Sequence, residues 1–166
     1  MSRTVRQVIV GVDGSAGSLA ALRLGAQEAE RHGVPLRPVL ALVPPGGEAA
    51  EARWPSPPEY RRIWTEAAGS TLAEACAQAV GERGDGLAVE PEVVRGSPGP
   101  VLVDCAADSA DLLVLGEGGH GLRPHRHSVG RYCLKHAHCP VLLVHPTDTD
   151  VAVPPGQGRP AEGRRR

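Results

Sequence analysis

Aromatic side chains are nearly absent from this sequence of 166 residues: Phe does not occur, and aromatic residues make up only 2% of the chain. Hydrophobic residues nevertheless make up 41%, so the core must be built from Val, Leu, Ile and Ala. Branched aliphatic residues suit a parallel sheet that is buried on both faces beneath Ala-rich helices. The length fits one domain with one core.

An excess of charge and a long apolar run are also lacking. The net charge is −1 with 22% charged residues, so there is no basic field to attract nucleic acid or an anionic membrane. No apolar run approaches the length of a membrane-spanning helix, and Val8–Val12 is too short for the core of a signal peptide. We therefore expect a cytoplasmic protein with neither a nucleic acid nor a membrane as partner.

The cysteines and histidines do not follow a recognised ligand spacing. None of the four cysteines forms a C-x-x-C pair, which favours free thiols packed as small apolar groups. The histidines that cluster late in the chain are His120, His125, His127, His136 and His138. His125 and His127 could ligate zinc or copper, but the cluster straddles different predicted elements. We therefore expect no metal site, and a pH-sensitive loop is the alternative use of these histidines.

Short apolar runs alternate with stretches of helical periodicity along the chain. The predicted strands are Val8–Val12, Leu36–Val43, Leu87–Arg95, Asp111–Gly116 and Pro140–Val144. The predicted helices run from Ser15 to Gly33, from Glu59 to Glu82, from Val101 to Ala107 and from Ser128 to His138. This alternation predicts an α/β fold in which a doubly wound, five-stranded parallel sheet carries helices on both faces.

Several residues mark the boundaries of these elements. Ser15 is the expected N-cap of the first helix, and Gly33 is expected in the left-handed conformation at its end. Pro38 cannot donate to a sheet ladder, so we expect it at the start of the second strand. Residues 44–58 are rich in Pro, Gly and Glu and predict an exposed loop. The domain is expected over residues 1–146, followed by a disordered Pro-, Gly- and Arg-rich tail over residues 147–166.

Candidate site residues follow from the topology. Doubly wound sheets bind ligands beyond the carboxyl ends of their strands, at the point where strand order reverses. That rule indicates Asp13 after the first strand, the region after Leu40, Ala41 and Leu42 in the second, and the loop that begins at Gly116 after the fourth. Asp13 could contact a ligand or simply form an Asx-type turn, and Ala41 could line a pocket or belong to the core.

Three segments, taken in order, resemble the universal stress protein family. They are Val8–Ser15, then Gly96–Pro98 with Ala110–Gly116, and finally Gly119–Gly121 with Ser128–Val129 and His136–Val141. The resemblance covers about residues 5–146. It implies a Rossmann-like fold of the adenine-nucleotide-hydrolase type and a homodimer formed through the last strand.

The resemblance also implies a ligand. Some members of the family bind ATP, with magnesium, through a G-x2-G-x9-G-[ST] motif after the fourth strand. Glycines let the backbone approach phosphate, and the following helix N-terminus adds partial positive charge. Carried over to this sequence, the phosphate-binding residues are Gly116, Gly119, Ser128 and Val129, and the residues near the nucleoside are Asp13 and Ala41.

This sequence departs from the motif in the loop after Gly119. Only seven residues separate Gly119 from the place of the third glycine, which is occupied by His127. Glu117 adds a carboxylate that is unfavourable beside a polyanion, whereas Arg123 and Arg126 could recognise phosphate through their side chains.

Two functions therefore remain open from the sequence. The first is an ATP-binding regulatory domain. The alternative is a nucleotide-free dimeric scaffold that acts through contact with itself, by way of Val141–Val144, and with a regulatory protein that the sequence does not identify. The sequence shows neither a nucleophile elbow nor paired carboxylates, so catalysis is not predicted. Slow ATP hydrolysis is the most that we expect.

Overall fold

The computed structural model describes residues 4–81, 86–117 and 128–146 of the chain. In chain order the elements are β1 (Val8–Gly11), α1 (Ala16–His32), β2 (Leu36–Leu42), α2 (Glu48–Arg53), α3 (Pro58–Ala79), β3 (Glu92–Arg95), α4 (Pro98–Cys105), β4 (Leu112–Gly116), α5 (Val129–His136) and β5 (Val141–Val144). The predicted tail, residues 147–166, lies outside the described residues.

The strands form one parallel sheet in the order β3-β2-β1-β4-β5. The chain builds outward from β1 to β3 on one side and then continues with β4 and β5 on the other, so the strand order reverses between β1 and β4. Helices α1 and α3 cover one face, and α4 and α5 cover the opposite face. The predicted doubly wound α/β sheet is confirmed.

The central strand β1 supplies both cores. Val8 and Val10 belong to the cluster beneath α1 and α3, whereas Ile9 belongs to the cluster beneath α4 and α5. All three side chains are fully buried. Successive side chains of a strand point to opposite faces, so a strand covered on both sides needs the continuous apolar run seen in the sequence.

Both predicted caps of α1 are confirmed. The Ser15 hydroxyl accepts a hydrogen bond from the Ser18 amide at 3.2 Å, which satisfies one of the free amides of the first turn. Gly33 has a φ of 63° and a ψ of 37°, and its amide donates to the carbonyls of Ala29 and Glu30. This left-handed residue ends the helix without the steric cost that a side chain would bring.

Pro38 lies inside β2, opposite Val10, and is fully buried, so the expectation that it begins the strand is wrong. In a parallel sheet, alternate residues bond to alternate neighbours. Because Leu36 exchanges its hydrogen bonds with the β3 side, the nitrogen of residue 38 also faces that side. The β2–β3 ladder stops after Leu36 and resumes at Val39, opposite Glu92. Proline is therefore tolerated at an interruption of the ladder.

The same interruption shortens β3. The strand begins at Glu92 and not, as predicted, at Leu87. Val89 makes only an isolated bridge with Leu36. Pro91 lies between that bridge and the strand, and it has no amide hydrogen to donate.

Residues 44–58 do not form a loop throughout, because α2 occupies Glu48–Arg53. Glu51 of this helix is buried, and its carboxylate accepts hydrogen bonds from the Ser56 hydroxyl at 2.6 Å and the Ser56 amide at 3.0 Å. The hydroxyl contributes most to lowering the pKa of Glu51, although burial opposes the shift. Glu48 also pairs with Arg95 of β3 at 3.2 Å. The Glu48–Arg95 pair therefore links the segment to the sheet, and the Glu51–Ser56 bonds link α2 to the residues after it. Hydrophobic periodicity gives no sign of either contact.

Other helix boundaries differ from the prediction by a few residues. α3 and α4 begin at Pro58 and Pro98, since proline fits a first turn whose amides have no helical partner. α3 ends at Ala79 and α5 at His136, each earlier than expected. No helix within the described ranges is long and apolar enough to cross a membrane.

None of the four cysteines, all of which lie in the described ranges, forms a disulfide, as predicted. Cys133 and Cys139 are buried in the core cluster beneath α4 and α5. Burial, with a smaller contribution from Cys139, raises the pKa of Cys133 to about 11. Cys133 is therefore a neutral thiol packed as a small apolar group.

Two glycines allow α1 to meet the end of β4. A Cβ at Gly116 would overlap the carbonyl of Gly17 and lie 2.6 Å from the Ser18 nitrogen. A Cβ at Gly17 would in turn overlap the carbonyl oxygen of Glu117. Because both obstacles are backbone atoms, they cannot move aside as a flexible side chain can. The Gly17–Gly116 contact therefore fixes how closely the start of α1 approaches the carboxyl edge of the sheet.

Gly17→Ala tests this contact. The added methyl must separate two backbone segments, and overpacking of this kind costs about 1–3 kcal/mol. We expect the free energy of unfolding, measured by urea denaturation, to fall by about that amount. Gly69→Ala is the matched control, because a Cβ there would meet nothing within 4 Å apart from its chain neighbours and the backbone of its own helix, and alanine favours a helix interior by about 1 kcal/mol. Equal urea midpoints for Gly17→Ala and the unsubstituted chain would contradict the proposed constraint.

Candidate functional site

A cleft of about 500 Å³ opens at the carboxyl edge of the sheet, where strand order reverses between β1 and β4. The ends of β1, β2 and β4 line it together with residues of α3, α4 and α5. Four of the six predicted site residues line this cleft: Asp13, Ala41, Gly116 and Val129. This is the position at which doubly wound sheets bind ligands.

Asp13 follows β1, and the start of α1 holds its carboxylate. Its Oδ1 accepts a hydrogen bond from the Ser15 amide at 2.9 Å, across Gly14 with a φ of 82°. Partial burial acts to raise the pKa of Asp13, but hydrogen bonds from Ser15 and Ser18 outweigh it and leave the pKa below its usual value. The predicted Asx-type turn is present, and Asp13 is also an ionised acceptor facing the cleft at neutral pH.

Ala41 gives the cleft a small apolar floor. It lies in β2 opposite Val94 of β3, and Leu42 and Val43 line the cleft beside it. Ala41 also packs against the core cluster beneath α4 and α5. It therefore belongs both to the pocket and to the edge of the core, the two alternatives that its sequence position left open.

The two predicted residues at the start of α5 are placed differently. Val129 and its neighbour Gly130 line the cleft. Ser128 is outside the lining and caps the helix, its hydroxyl accepting the Arg131 amide at 3.1 Å. A contact between Ser128 and a phosphate stays a prediction.

Glu117 does not face the cleft as a free carboxylate. It follows Gly116 and pairs with His145, the residue after β5, at 2.5 Å. The Glu117 amide also donates to the Val144 carbonyl at 2.7 Å, which continues the β4–β5 ladder by one residue. When His145 is protonated, this pair offsets the negative charge that the sequence places beside the expected phosphate site.

The loop between β4 and α5, at residues 118–127, lies outside the described residues, and so do Gly119, Arg123, Arg126 and His127. Their expected contacts with a phosphate therefore stay predictions. Within the ranges that the structure does describe, no three His, Cys, Asp or Glu side chains converge as a metal site requires. His136 packs on the Tyr132 ring with centroids 4.3 Å apart.

Helix α3 contributes a wall of the cleft that the sequence did not predict. The residues of this helix that line the cleft are Trp64, Ala67, Ala68 and Thr71. They recur at the i, i+3, i+4 and i+7 spacing of one helix face. That spacing was the available signal, but small and polar residues make it weak in any hydrophobicity pattern.

Comparison with known proteins identifies the family. A model of the universal stress protein family matches residues 4–145. The chain belongs to the universal stress protein family. Universal stress protein Rv2623 of Mycobacterium tuberculosis (strain ATCC 25618 / H37Rv) is 35% identical over 158 residues, 92% of this chain and 51% of that protein. Rv2005c of the same strain is 33% identical over 164 residues, 93% of this chain and 53% of that protein. The chain thus spans about half the length of the curated relatives it matches.

Solved universal stress proteins share the fold. One, in complex with cAMP, is 26% identical with a TM-score of 0.61, covering 87% of this chain and 99% of that one. Another, from Archaeoglobus fulgidus in complex with dAMP, is 24% identical with a TM-score of 0.60, covering 84% of this chain and 98% of that one. Because the second structure is only 24% identical to this chain, it supports the fold alone and carries no argument about the ligand. The sheet of this universal stress protein is Rossmann-like, as the sequence predicted.

The hydrogen bonds at Asp13 predict a measurable pKa. Ser15→Ala removes a hydroxyl that favours the ionised carboxylate. We expect the Asp13 midpoint, followed by carbon-13 NMR of the carboxyl group, to lie below the ordinary value of about 3.9 and to rise in this variant. Ser70→Ala, on the exposed surface of α3, is the control and should leave the midpoint unchanged.

The sign of the associated stability effect follows from linkage. Because folding lowers the pKa of Asp13, its ionisation contributes stability above the unfolded pKa, and this contribution is lost as the pH falls through the folded pKa. The stability difference between the unsubstituted chain and Ser15→Ala should therefore shrink as the pH falls below about 4. A difference independent of pH would show that Ser15 acts only as a helix cap.

Proposed function

We propose that this universal stress protein binds an adenine nucleotide in the cleft and acts as a regulatory domain. The observation that carries the proposal is the convergence of Asp13, Ala41, Gly116 and Val129 from four separate parts of the chain on one cleft. A 26% identical relative, solved in complex with cAMP, supports an adenine nucleotide as the ligand class. ATP with magnesium is the ligand that the sequence resemblance implies.

The chemistry of the cleft suits a nucleoside. Asp13 offers an ionised acceptor for ribose hydroxyls, and charge-assisted hydrogen bonds of this kind are strong. Ala41 and its neighbours offer an apolar surface for the base. This separation into a polar part and an apolar part is typical of small-molecule sites.

Phosphate would lie toward Gly116 and the start of α5. Among the described lining residues Asp13 is the only ionisable one, so no described cation faces the cleft. Recognition by the described residues would rest on main-chain amides at the α5 N-terminus, next to Val129 and Gly130. Arg123 and Arg126 of the neighbouring loop are the side chains proposed to add positive charge.

Calorimetric titration tests the proposal directly. ATP with magnesium, AMP and cAMP are each titrated into the full chain, and we expect at least one to bind once per chain at micromolar strength. Asp13→Asn removes a charged acceptor and should weaken binding roughly tenfold or more. Asp104→Asn, at an exposed position of α4, is the matched control and should bind normally. No heat and no thermal stabilisation with any of the three would remove nucleotide from the function.

A second candidate function, a dimeric scaffold, rests on β5. This strand is an edge of the sheet, and all four of its residues are apolar and only partly buried. An exposed apolar edge of this kind tends to pair with another strand. We propose that two copies associate through β5, with or without nucleotide, and that nucleotide occupancy biases this association or the affinity for a regulatory protein.

The hydrogen-bond register of β5 gives a selective variant. Leu113 donates to the Pro140 carbonyl and Glu117 to the Val144 carbonyl, so alternation turns the amide of Val141 outward. Val141→Pro removes an outward donor without removing a bond to β4. We expect the mass from sedimentation equilibrium to fall from that of a dimer to that of a monomer. Leu134→Ala, which removes an exposed apolar side chain from α5, controls for general loss of apolar surface, and a dimer that survives Val141→Pro would argue against the β5 interface.

A further inference from the structure

Trp64 of α3 is the one aromatic residue among the described residues that line the cleft. It also lines a second, smaller cavity of about 150 Å³, which lies between α3, α2 and the neighbouring strands β2 and β3. Its ring is thus positioned between the two cavities. The side chain is neither buried in a core cluster nor among the strongly exposed hydrophobic residues. A large apolar ring that is only partly buried at a ligand cleft is available for contact with a ligand.

The rest of the α3 face leaves room beside this ring. Ala67, Ala68 and Thr71 follow Trp64 on the face that lines the cleft, and all three side chains are small. Thr71 lies beside the turn after β1, because its Cγ2 is 3.2 Å from the position of a Cβ on Gly14. The face therefore runs from Trp64 at one end to the neighbourhood of Asp13 at the other.

The length of this face matches a nucleoside. Trp64 and Thr71 are seven residues apart, and a helix rises about 1.5 Å per residue, so their Cα atoms are separated by about 10 Å along the axis. That distance is comparable with the span of a purine and its ribose. With the ribose at Asp13, the base would extend along the alanines toward Trp64.

The opposite wall is apolar as well. Leu42 at the end of β2, with Val43 and Pro45 just after it, lines the cleft without contributing a charged side chain. On the other side Trp64 is supported by Tyr60, whose ring centroid is 6.5 Å from that of Trp64 at a tilt of 34°. A flat group in this part of the cleft would be bounded by a supported aromatic ring and by aliphatic side chains.

We propose that Trp64 stacks on the base of the bound nucleotide and makes the site selective for ligands that carry a flat heteroaromatic ring. The proposal rests on the proposed function, because it assigns the base to one end of the same cleft. Stacking between a base and an aromatic side chain contributes substantially to affinity and tolerates different bases. Trp64 therefore gives selectivity for a ring over a sugar phosphate, and only weak selectivity between one purine and another.

The chain offers a direct optical test, because it contains two tryptophans. Trp54 is 72% exposed, does not line the cleft and lies beside Arg53. Trp54→Phe therefore leaves Trp64 as the only tryptophan. We expect adenosine and AMP to quench its emission saturably in this variant, with the affinity found by calorimetry. Ribose 5-phosphate, which has no ring to stack, should leave the emission unchanged.

Affinity measurements separate stacking from mere proximity. Trp64→Ala should weaken AMP binding by roughly tenfold or more, whereas Trp64→Phe keeps a ring and should stay within a few-fold of the unsubstituted chain. Trp54→Ala is the matched control and should bind normally. Thermal melting of each variant identifies any loss of affinity that comes from unfolding. If Trp64→Ala does not fold, the AMP affinity of Trp64→Phe still tests whether a ring at this position is sufficient.

The outcomes distinguish the two proposals. Normal AMP affinity in Trp64→Ala, with no quenching of Trp64, would overturn the stacking role and leave the nucleotide site intact. Absence of binding by every adenine compound to the unsubstituted chain would overturn both. Equal quenching by ribose 5-phosphate would overturn selectivity for a ring.

Discussion

The close contact between Gly17 and Gly116 determines the geometry on which the candidate site depends. It joins the first turn of α1 to the last residue of β4 with no side chain between them. The same turn of α1 positions Ser15 and Ser18, which bond the Asp13 carboxylate, and the same end of β4 leads into the expected phosphate loop. Gly116, which the family motif assigns to phosphate binding, is thus also needed for packing. Its presence in a sequence is therefore weak evidence for nucleotide binding, whereas the cleft it helps to form is stronger evidence.

The sequence predicted those parts of the fold that depend on local chemistry or on burial from both sides. The apolar run of β1, the Ser15 cap and the Gly33 cap each follow from constraints within a few residues. Pro38 and α2 could not be placed in this way. Pro38 is tolerated only because the β3 side of the ladder is interrupted at that position. The polar contacts of α2, Glu48 with Arg95 and Glu51 with Ser56, are not registered by hydrophobicity.

The candidate site shows the same division. Asp13, Ala41 and Gly116 could be found because parallel strands end at one edge, and topology alone brings them together. The α3 wall could not be found, because its contribution depends on which face of a weakly amphipathic helix turns toward the sheet. Trp64 is conspicuous in a chain with so few aromatic residues, yet its sequence position gives no sign of the cleft. Tertiary packing, with Thr71 beside the Gly14 turn, decides the orientation of that face.

Packed residues connect the cleft directly to the edge strand β5. Gly130 lines the cleft, and a Cβ there would lie 3.1 Å from Leu143 of β5. On the adjoining side, Glu117 pairs with His145 and continues the β4–β5 ladder. A ligand seated at the start of α5 would therefore press on a helix turn that is in contact with the edge strand. A small displacement there would reach the outward amides of β5 without any rearrangement of the core, since packed elements shift as units and do not deform continuously. In this arrangement the proposed nucleotide site and the proposed β5 interface need no separate relay between them.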